Sequence, residues 1–227
     1  LFELGAQFES GMPEAQKTVA AGIRVGGATR SWTKSAHGAD VFDAKADMLA
    51  ALEAAMNGPM TAPIKQGAAA WYHPGRSGTL ALGPKVLAYF GEVHPKILAA
   101  FDLKCPVAAF EVFMDAIPES KSKLKARGPF SPSQFQPVER DFAFVVDAGA
   151  TADAIIKAAK GAERELIERV DVFDVYEGKG VPEGKKSLAI SVRLQPKDRT
   201  LTDAEIEAIA TKIVAAVIKA TGGMLRT

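Results

Sequence analysis

The chain has 227 residues, with 28 lysines and arginines against 27 aspartates and glutamates, 48% hydrophobic residues and one cysteine. A net charge of +1 gives no bulk reason to infer a nucleic-acid partner, one cysteine excludes an internal disulfide, and no apolar run approaches the roughly 20 residues of a helical membrane span. What remains is a folded protein with apolar material for one large or two modest cores, expected in the cytoplasm.

The chain begins inside the strand-like run "LFELGAQF", with no leader pattern before Leu1, and reads as the C-terminal piece of something longer. "GIRVGG" is expected to pair with that run. Asp40 caps a helix over "VFDAKADMLAALEAAM", in which Phe42, Leu49, Leu52 and Met56 form the buried stripe and Lys45, Asp47 and Glu53 face out; Asn57-Gly58-Pro59 stops it. Short apolar segments follow, "AAAWYH", "TLALG", "KVLAYFGEV" and "PVAAFEVFMD", separated by Pro-Gly or Gly-Pro turns. This first half predicts an antiparallel sheet with one helix beside it, an α+β arrangement.

From Asp115 to Pro137 the text turns to proline, serine and basic residues, the signature of a linker. Splitting the chain at Gly128 gives 14 basic and 12 acidic residues before it and 14 and 15 after, so neither half is a basic module.

The second half has cleaner periods. In "RDFAFVV", Phe142, Phe144 and Val146 fall on one strand face. Thr151 opens a helix with Ile155, Ile156 and Ala159 inward, and Gly161 stands where a left-handed C-cap is wanted. Along Leu166 to Tyr176, Val170 and Val172 share one parity and Phe173 and Val175 the other, which predicts a bulge near Phe173. "GKGVPEG" is a turn, and "KSLAISVRL" alternates Leu188, Ile190, Val192 and Leu194, so the two strands form a hairpin. Thr202 and Glu205 make the T-x-x-E capping box of a helix whose stripe is Ile206, Ile209, Ile213 and Val217. Gly222 and Gly223 end it, and "MLR" closes as an edge strand. The order βαββαβ is the split-βαβ, ferredoxin-like pattern, with both helices on one face of a four-stranded sheet. The other face is expected to carry Asp141, Ala143, Val145, Ser187, Ala189, Ser191 and Arg193, small and polar, without the exposed aromatic pair of a general RNA-recognition sheet.

Several residues offer chemistry by type. His73 and His94 have the chemistry of acids, bases or metal ligands, but each precedes a proline at a turn, and no cysteine or second histidine stands at ligand spacing. His37 sits in a loop without a partner in sequence. Cys105 would need an activating base, and its neighbours supply none. Glu9 with Glu14, or Asp43 with Asp47, form carboxylate pairs that read more simply as solvated faces, and Asp171, Asp174 and Glu177 alternate along a strand as ordinary exposed acids. Gly178, Gly180 and Gly184 lack the G-x-x-x-x-G-K-[ST] phosphate loop and the following helix. No catalytic or metal-binding residue is expected. Lys179, Lys185, Lys186, Arg193, Lys197 and Arg199 differ, because they gather around one hairpin and the loop leaving it, where they either form a solvated tip or hold phosphates; Arg140 on the neighbouring strand joins the set as candidate residues for contact with an RNA backbone.

The words "PVERDFAFVVD", "VDVFDVYEGKGVPEGKKSLAISVRLQPKDRTLTDAEI" and "GGMLR" resemble the anticodon-binding domain at the C-terminus of the bacterial phenylalanyl-tRNA synthetase beta subunit, and "LFELGAQF", "DVFDAKADMLAALEA", "WYHPGRSG", "LAYFGEVHP" and "AAFEVFMD" resemble its catalytic-like domain. The resemblance covers essentially the whole chain. It implies a class II synthetase-like sheet domain, incomplete at its start, over residues 1–120, a linker over 121–136, and a ferredoxin-fold anticodon-binding domain over 137–227. It further implies a non-catalytic, tRNA-binding and assembly role in a heterotetramer with an alpha subunit that attaches phenylalanine to phenylalanine tRNA, with ATP and magnesium serving the holoenzyme and no cofactor in this piece. The chain has no G-x-G-x-x-E-R and no Arg-x-Glu, in keeping with that role. The alternative is a ferredoxin-like regulatory module binding a small molecule, since fold does not fix function.

Overall fold

Alternating apolar residues in the first half assemble one antiparallel sheet of six strands. In a computed structural model, which describes residues 1–8, 10–12, 15–28, 32, 37–58, 60, 62–118 and 132–226, the chain divides into two units, Leu1–Arg127 and Gly128–Thr227. The first unit contains β1 (Phe2–Phe8), β2 (Gln16–Val25), the two-residue strands β3 (Gly27–Ala28) and β4 (His37–Gly38), α1 (Val41–Met56), β5 (Ile64–Gln66), β6 (Tyr72–Leu82), β7 (Lys85–Val93), α2 (Pro95–Ala100) and β8 (Val107–Phe113). Its large sheet has the order β1-β2-β8-β7-β6-β5. Phe2 faces Gly22 and Phe8 faces Gln16 in the β1–β2 register, so "LFELGAQF" pairs with "QKTVAAG" and meets the expected partner "GIRVGG" only at its first residue, a correction.

Asp40 caps α1 reciprocally: its side chain accepts from the Phe42 and Asp43 N–H groups at 2.7 and 3.0 Å, and Asp43 Oδ2 accepts from the Asp40 N–H at 3.0 Å. Such a cap stabilises a helix by about 1 kcal/mol. The buried stripe is Ala44, Met48 and Leu52, packed with Leu80, Leu87, Ala88 and Val112. Phe42 corrects the expected stripe, being 72% exposed. It precedes Ala44 by two residues, about 200° around the helix, which turns it away from the sheet. Asn57, left-handed at φ 53°, ends the helix as expected. Two further corrections concern prolines. "YHPGRSGTLAL" is one strand with an irregularity between Tyr72 and Ser77, not two segments parted by a turn, and His94-Pro95 opens the short helix α2.

The second unit runs β9 (Val138–Asp147), α3 (Ala152–Ala162), β10 (Ile167–Tyr176), β11 (Lys185–Leu194), α4 (Asp203–Thr221) and β12 (Met224–Leu225), with sheet order β10-β11-β9-β12 and every pair antiparallel. This is the expected ferredoxin-like topology. Both helices cover one face: Phe144, Val146, Leu188, Ile190, Val192 and Leu194 from the strands meet Ile155, Ala159, Ile209, Ile213 and Val217 from the helices. Gly161 is a correction, since α3 runs through it to Ala162 and is capped by Glu163 in an extended conformation at φ −151°. The chain there passes straight toward β10, and an extended exit needs no left-handed residue. Most of the expected linker lies outside the described residues. At its end, Ser133 Oγ donates to Pro196 O at 2.8 Å and Gln195 Nε2 donates to Phe135 O at 2.9 Å, which ties residues 133–135 to the second unit.

Candidate nucleic-acid interface

The helix-free face of the second sheet is set by one bulge. Val172 pairs with Ile190, a core residue, and the next pair is Asp174 with Ala189, so the register slips by one residue at Phe173, where the change of parity predicted it. A one-residue slip moves every later side chain to the other face. Asp174 and Tyr176 thereby arrive on the helix-free side, where Tyr176 stands opposite Ser187.

Tyr176 is held there by three contacts. Its Oη donates to the Lys179 carbonyl at 3.2 Å, and the Arg226 guanidinium lies 5.4 Å from its ring centroid. Gly178 closes the third side: a Cβ there would stand 2.7 Å from Tyr176 Oη and would displace the ring or the turn. Arg226 in turn donates through Nη1 to Ser187 Oγ at 3.3 Å, and its backbone N–H donates to Ala143 O at 2.7 Å. The result is an aromatic ring and a guanidinium side by side on a sheet surface, where Tyr176 keeps 38% of its surface exposed. The expected small, polar face is therefore corrected in part: Val145, Ser187 and Ala189 are buried, and an aromatic residue shares the surface.

The seven candidate basic residues divide between the two ends of this sheet. Lys185 and Lys186 open β11 beside the Tyr176–Ser187 pair, and the Lys179 carbonyl accepts from Tyr176 itself. Lys185 lies 3.5 Å from Asp147, and Lys186 Nζ donates to Ala148 O at 2.8 Å. Arg193 lies eight residues along the strand from Lys185, roughly 26 Å at strand rise, with Arg140 opposite Val192 beside it. Arg193 is engaged already: Nη1 lies 3.4 Å from Glu139 and Nε 3.0 Å from Glu168, the latter without hydrogen-bond geometry. Arg199 forms a bidentate pair with Glu205, whose carboxyl is held low, at about 2, by Arg199 and by the Thr202 backbone and hydroxyl. Lys197 lines a hollow with these residues near the start of α4. The structure thus brings Lys179, Lys185 and Lys186 to the aromatic end, and Arg140, Arg193, Lys197 and Arg199 to the other.

Arg226, Tyr176 and Gly178 were not singled out as binding residues from the sequence. The signal was present in the parity change at Phe173, which carries Tyr176 across the sheet. The histidines have structural work in the fold. His73 Nδ1 accepts from the Gly75 and Arg76 N–H groups at 3.1 Å each, and His94 Nδ1 accepts from the Lys96 N–H at 3.1 Å. Asp47 holds Arg24 through contacts of 2.7 to 3.0 Å, and Asp171 lies 2.5 Å from Arg169. Cys105 is half-buried. Glu9 and Glu14 lie outside the described residues, as does the His37 side chain.

A split-βαβ sheet with an open face bearing an aromatic and basic groups defines the class, an α+β protein built around a ferredoxin-like module. Residues 133–226 match the family described as ferredoxin-fold anticodon binding domain, and residues 1–114 match the phenylalanyl tRNA synthetase beta chain CLM domain. The chain belongs to the phenylalanyl-tRNA synthetase beta-chain family. It is 54% identical to the phenylalanine–tRNA ligase beta subunit of Paramagnetospirillum magneticum, 53% to that of Rhodospirillum rubrum and 51% to that of Bradyrhizobium diazoefficiens, each alignment taking in 100% of this chain and 29% of the relative. The chain therefore spans under a third of the length of these relatives. The family leaves the regulatory-module alternative without support.

Proposed function

We propose that the second unit binds the anticodon arm of phenylalanine tRNA, and that the chain serves as the tRNA-binding and assembly portion of a cytoplasmic phenylalanine–tRNA ligase. In this reading an alpha subunit attaches phenylalanine, using ATP and magnesium, and the first unit contributes to the heterotetramer. Among the described residues no three His, Cys, Asp or Glu side chains stand together as a metal donor set. The working limits are 1–120 for the catalytic-like part, 121–136 for the link and 137–227 for the anticodon-binding part; the Ser133 and Phe135 contacts favour an earlier start for the last.

The observation that carries the reading is Tyr176, exposed on the helix-free face with Arg226 beside it. Unpaired bases in an RNA loop have open π-faces, and sequence-tolerant stacking on an aromatic contributes about 1–3 kcal/mol per base. Lys179, Lys185 and Lys186 at the same end are candidates for the flanking phosphates, and Arg140, Arg193, Lys197 and Arg199 for a second stretch of backbone. The test is binding of an anticodon stem-loop to the chain. Tyr176→Ala is expected to weaken it about tenfold or more, and Tyr176→Phe to preserve most of it. Equal affinity for wild type and Tyr176→Ala would remove the sheet face from the interface.

A further inference from the structure

Arg226 reaches the Tyr176 ring because the chain reverses at once on leaving α4. Gly222 caps that helix in the left-handed region at φ 66°, and its N–H donates to Ile218 O at 2.8 Å. Glycine enters this region without the steric cost that a side chain brings. Thr221 turns the chain back: its Oγ1 donates to Val217 O at 2.8 Å and accepts from the Gly223 N–H at 3.2 Å. β12 follows, with Met224 opposite Val145 and Leu225 opposite Phe144, and the Arg226 N–H donates to Ala143 O at 2.7 Å.

Little apolar burial holds this strand. Met224 and Leu225 are 59% and 39% exposed, and they make up the whole of the ladder with β9. An element with few buried apolar contacts lies at the low end of local stability. Its position therefore depends on the turn that delivers it, and there the fit is closest at Gly223. A Cβ on Gly223 would stand 2.6 Å from Val146 Cγ1 and 2.8 Å from Val145 O. Neither neighbour can give way: Val146 is fully buried in the core, and the Val145 carbonyl belongs to the backbone of β9, which pairs with β11 on its other side. At Gly178, by contrast, the clashing atoms end a side chain. A side chain at position 223 would lift the start of β12 off β9, and the guanidinium three residues on would leave the Tyr176 ring and Ser187 Oγ with it.

Given that the second unit binds the anticodon arm, we infer that residues 222–226 form a strap that builds the tRNA-facing surface, with Gly223 as the residue that positions Arg226 for RNA. Gly223 is itself buried, so it acts through Arg226 and not by touching a nucleotide.

A thermodynamic cycle on the whole chain tests this. Gly223→Ala is expected to weaken anticodon stem-loop binding about as much as Arg226→Ala, roughly three- to tenfold, and to make the salt dependence shallower by about one counterion. The Gly223→Ala/Arg226→Ala double variant should bind no more weakly than either single one, because a residue that acts through another loses nothing further once the other is gone. A general loss of stability would instead add to the Arg226 loss. Without RNA, the Arg226 amide should exchange with solvent faster in Gly223→Ala, while the β9–β11 ladder keeps its protection. If Gly223→Ala fails to fold, Thr221→Val takes its place in the same cycle, since it removes both Oγ1 bonds of the turn. Wild-type affinity in the substituted chain, or additive losses in the double variant, overturns the strap, and a weakened Tyr176→Ala then leaves the anticodon reading standing. Tyr176→Ala binding as tightly as wild type overturns both.

Discussion

The Arg226 guanidinium lies 5.4 Å from the centroid of the Tyr176 ring and donates to Ser187 Oγ on the neighbouring strand. This contact places a fixed positive charge against the aromatic group proposed to stack on a base, and it comes from the last described residue of the chain. Arg226→Ala removes the charge and the brace together. The expected outcome is stem-loop binding weaker by roughly three- to tenfold and a salt dependence shallower by about one counterion. Affinity measured across a salt series checks both, and a slope identical to wild type would exclude a phosphate contact by Arg226.

Gly178→Ala tests the geometry of the ring without touching its chemistry. The added Cβ would stand 2.7 Å from Tyr176 Oη, so the ring must tilt or the turn must shift. Stability should change by only a few tenths of a kcal/mol, because the turn is exposed, while stem-loop affinity falls by about the loss expected for Tyr176→Ala. Thermal unfolding and binding measured on one preparation separate the two effects. Intact affinity would show that the observed pose of Tyr176 is not the binding pose.

These positions show how far the sequence reached. Local spacing gave the βαββαβ order, the Leu188 to Leu194 core face, the Thr202–Glu205 box and the bulge at Phe173, since each is a short-range pattern along the chain. It did not give the consequence of the bulge, because Tyr176 changes face only when the slip is propagated to the strand end. The basic residues were legible as a set and illegible as a surface: Lys185 and Arg193 are close in sequence, yet a strand holds them roughly 26 Å apart. Phe42 was misplaced because a stripe drawn from its large side chains omitted Ala44, whose small size lets α1 approach the sheet.

The division of the basic set makes a graded prediction. Arg193 is already engaged by Glu139 and Glu168, and Arg199 by Glu205, whereas Lys179 stands beside the aromatic end in an exposed turn. A cation whose charge is already balanced releases fewer counterions on binding RNA. Lys179→Ala should therefore flatten the salt dependence more than Arg193→Ala or Arg199→Ala. The reverse order, measured on the same stem-loop, would move the backbone contacts to the far end of the sheet.

The Arg199–Glu205 pair predicts a response to acid. Glu205 sits at about 2 instead of 4.5, first through the Arg199 hydrogen bonds and then through the Thr202 backbone and hydroxyl. A carboxyl whose folded pKa lies below its unfolded one stabilises the fold above the unfolded value, and that contribution disappears as pH falls through the folded value. The window is thus between about 4.5 and 2. Because the side chains are exposed, salt is expected to diminish the effect. Arg199→Ala should raise the Glu205 pKa while leaving it below the ordinary carboxylate range, since the Thr202 bonds that complete the α4 capping box survive. Carboxyl carbon NMR titration of Glu205 reads this directly: an unchanged pKa in Arg199→Ala would assign the whole shift to the helix cap, and a return to 4.5 would assign it all to the arginine.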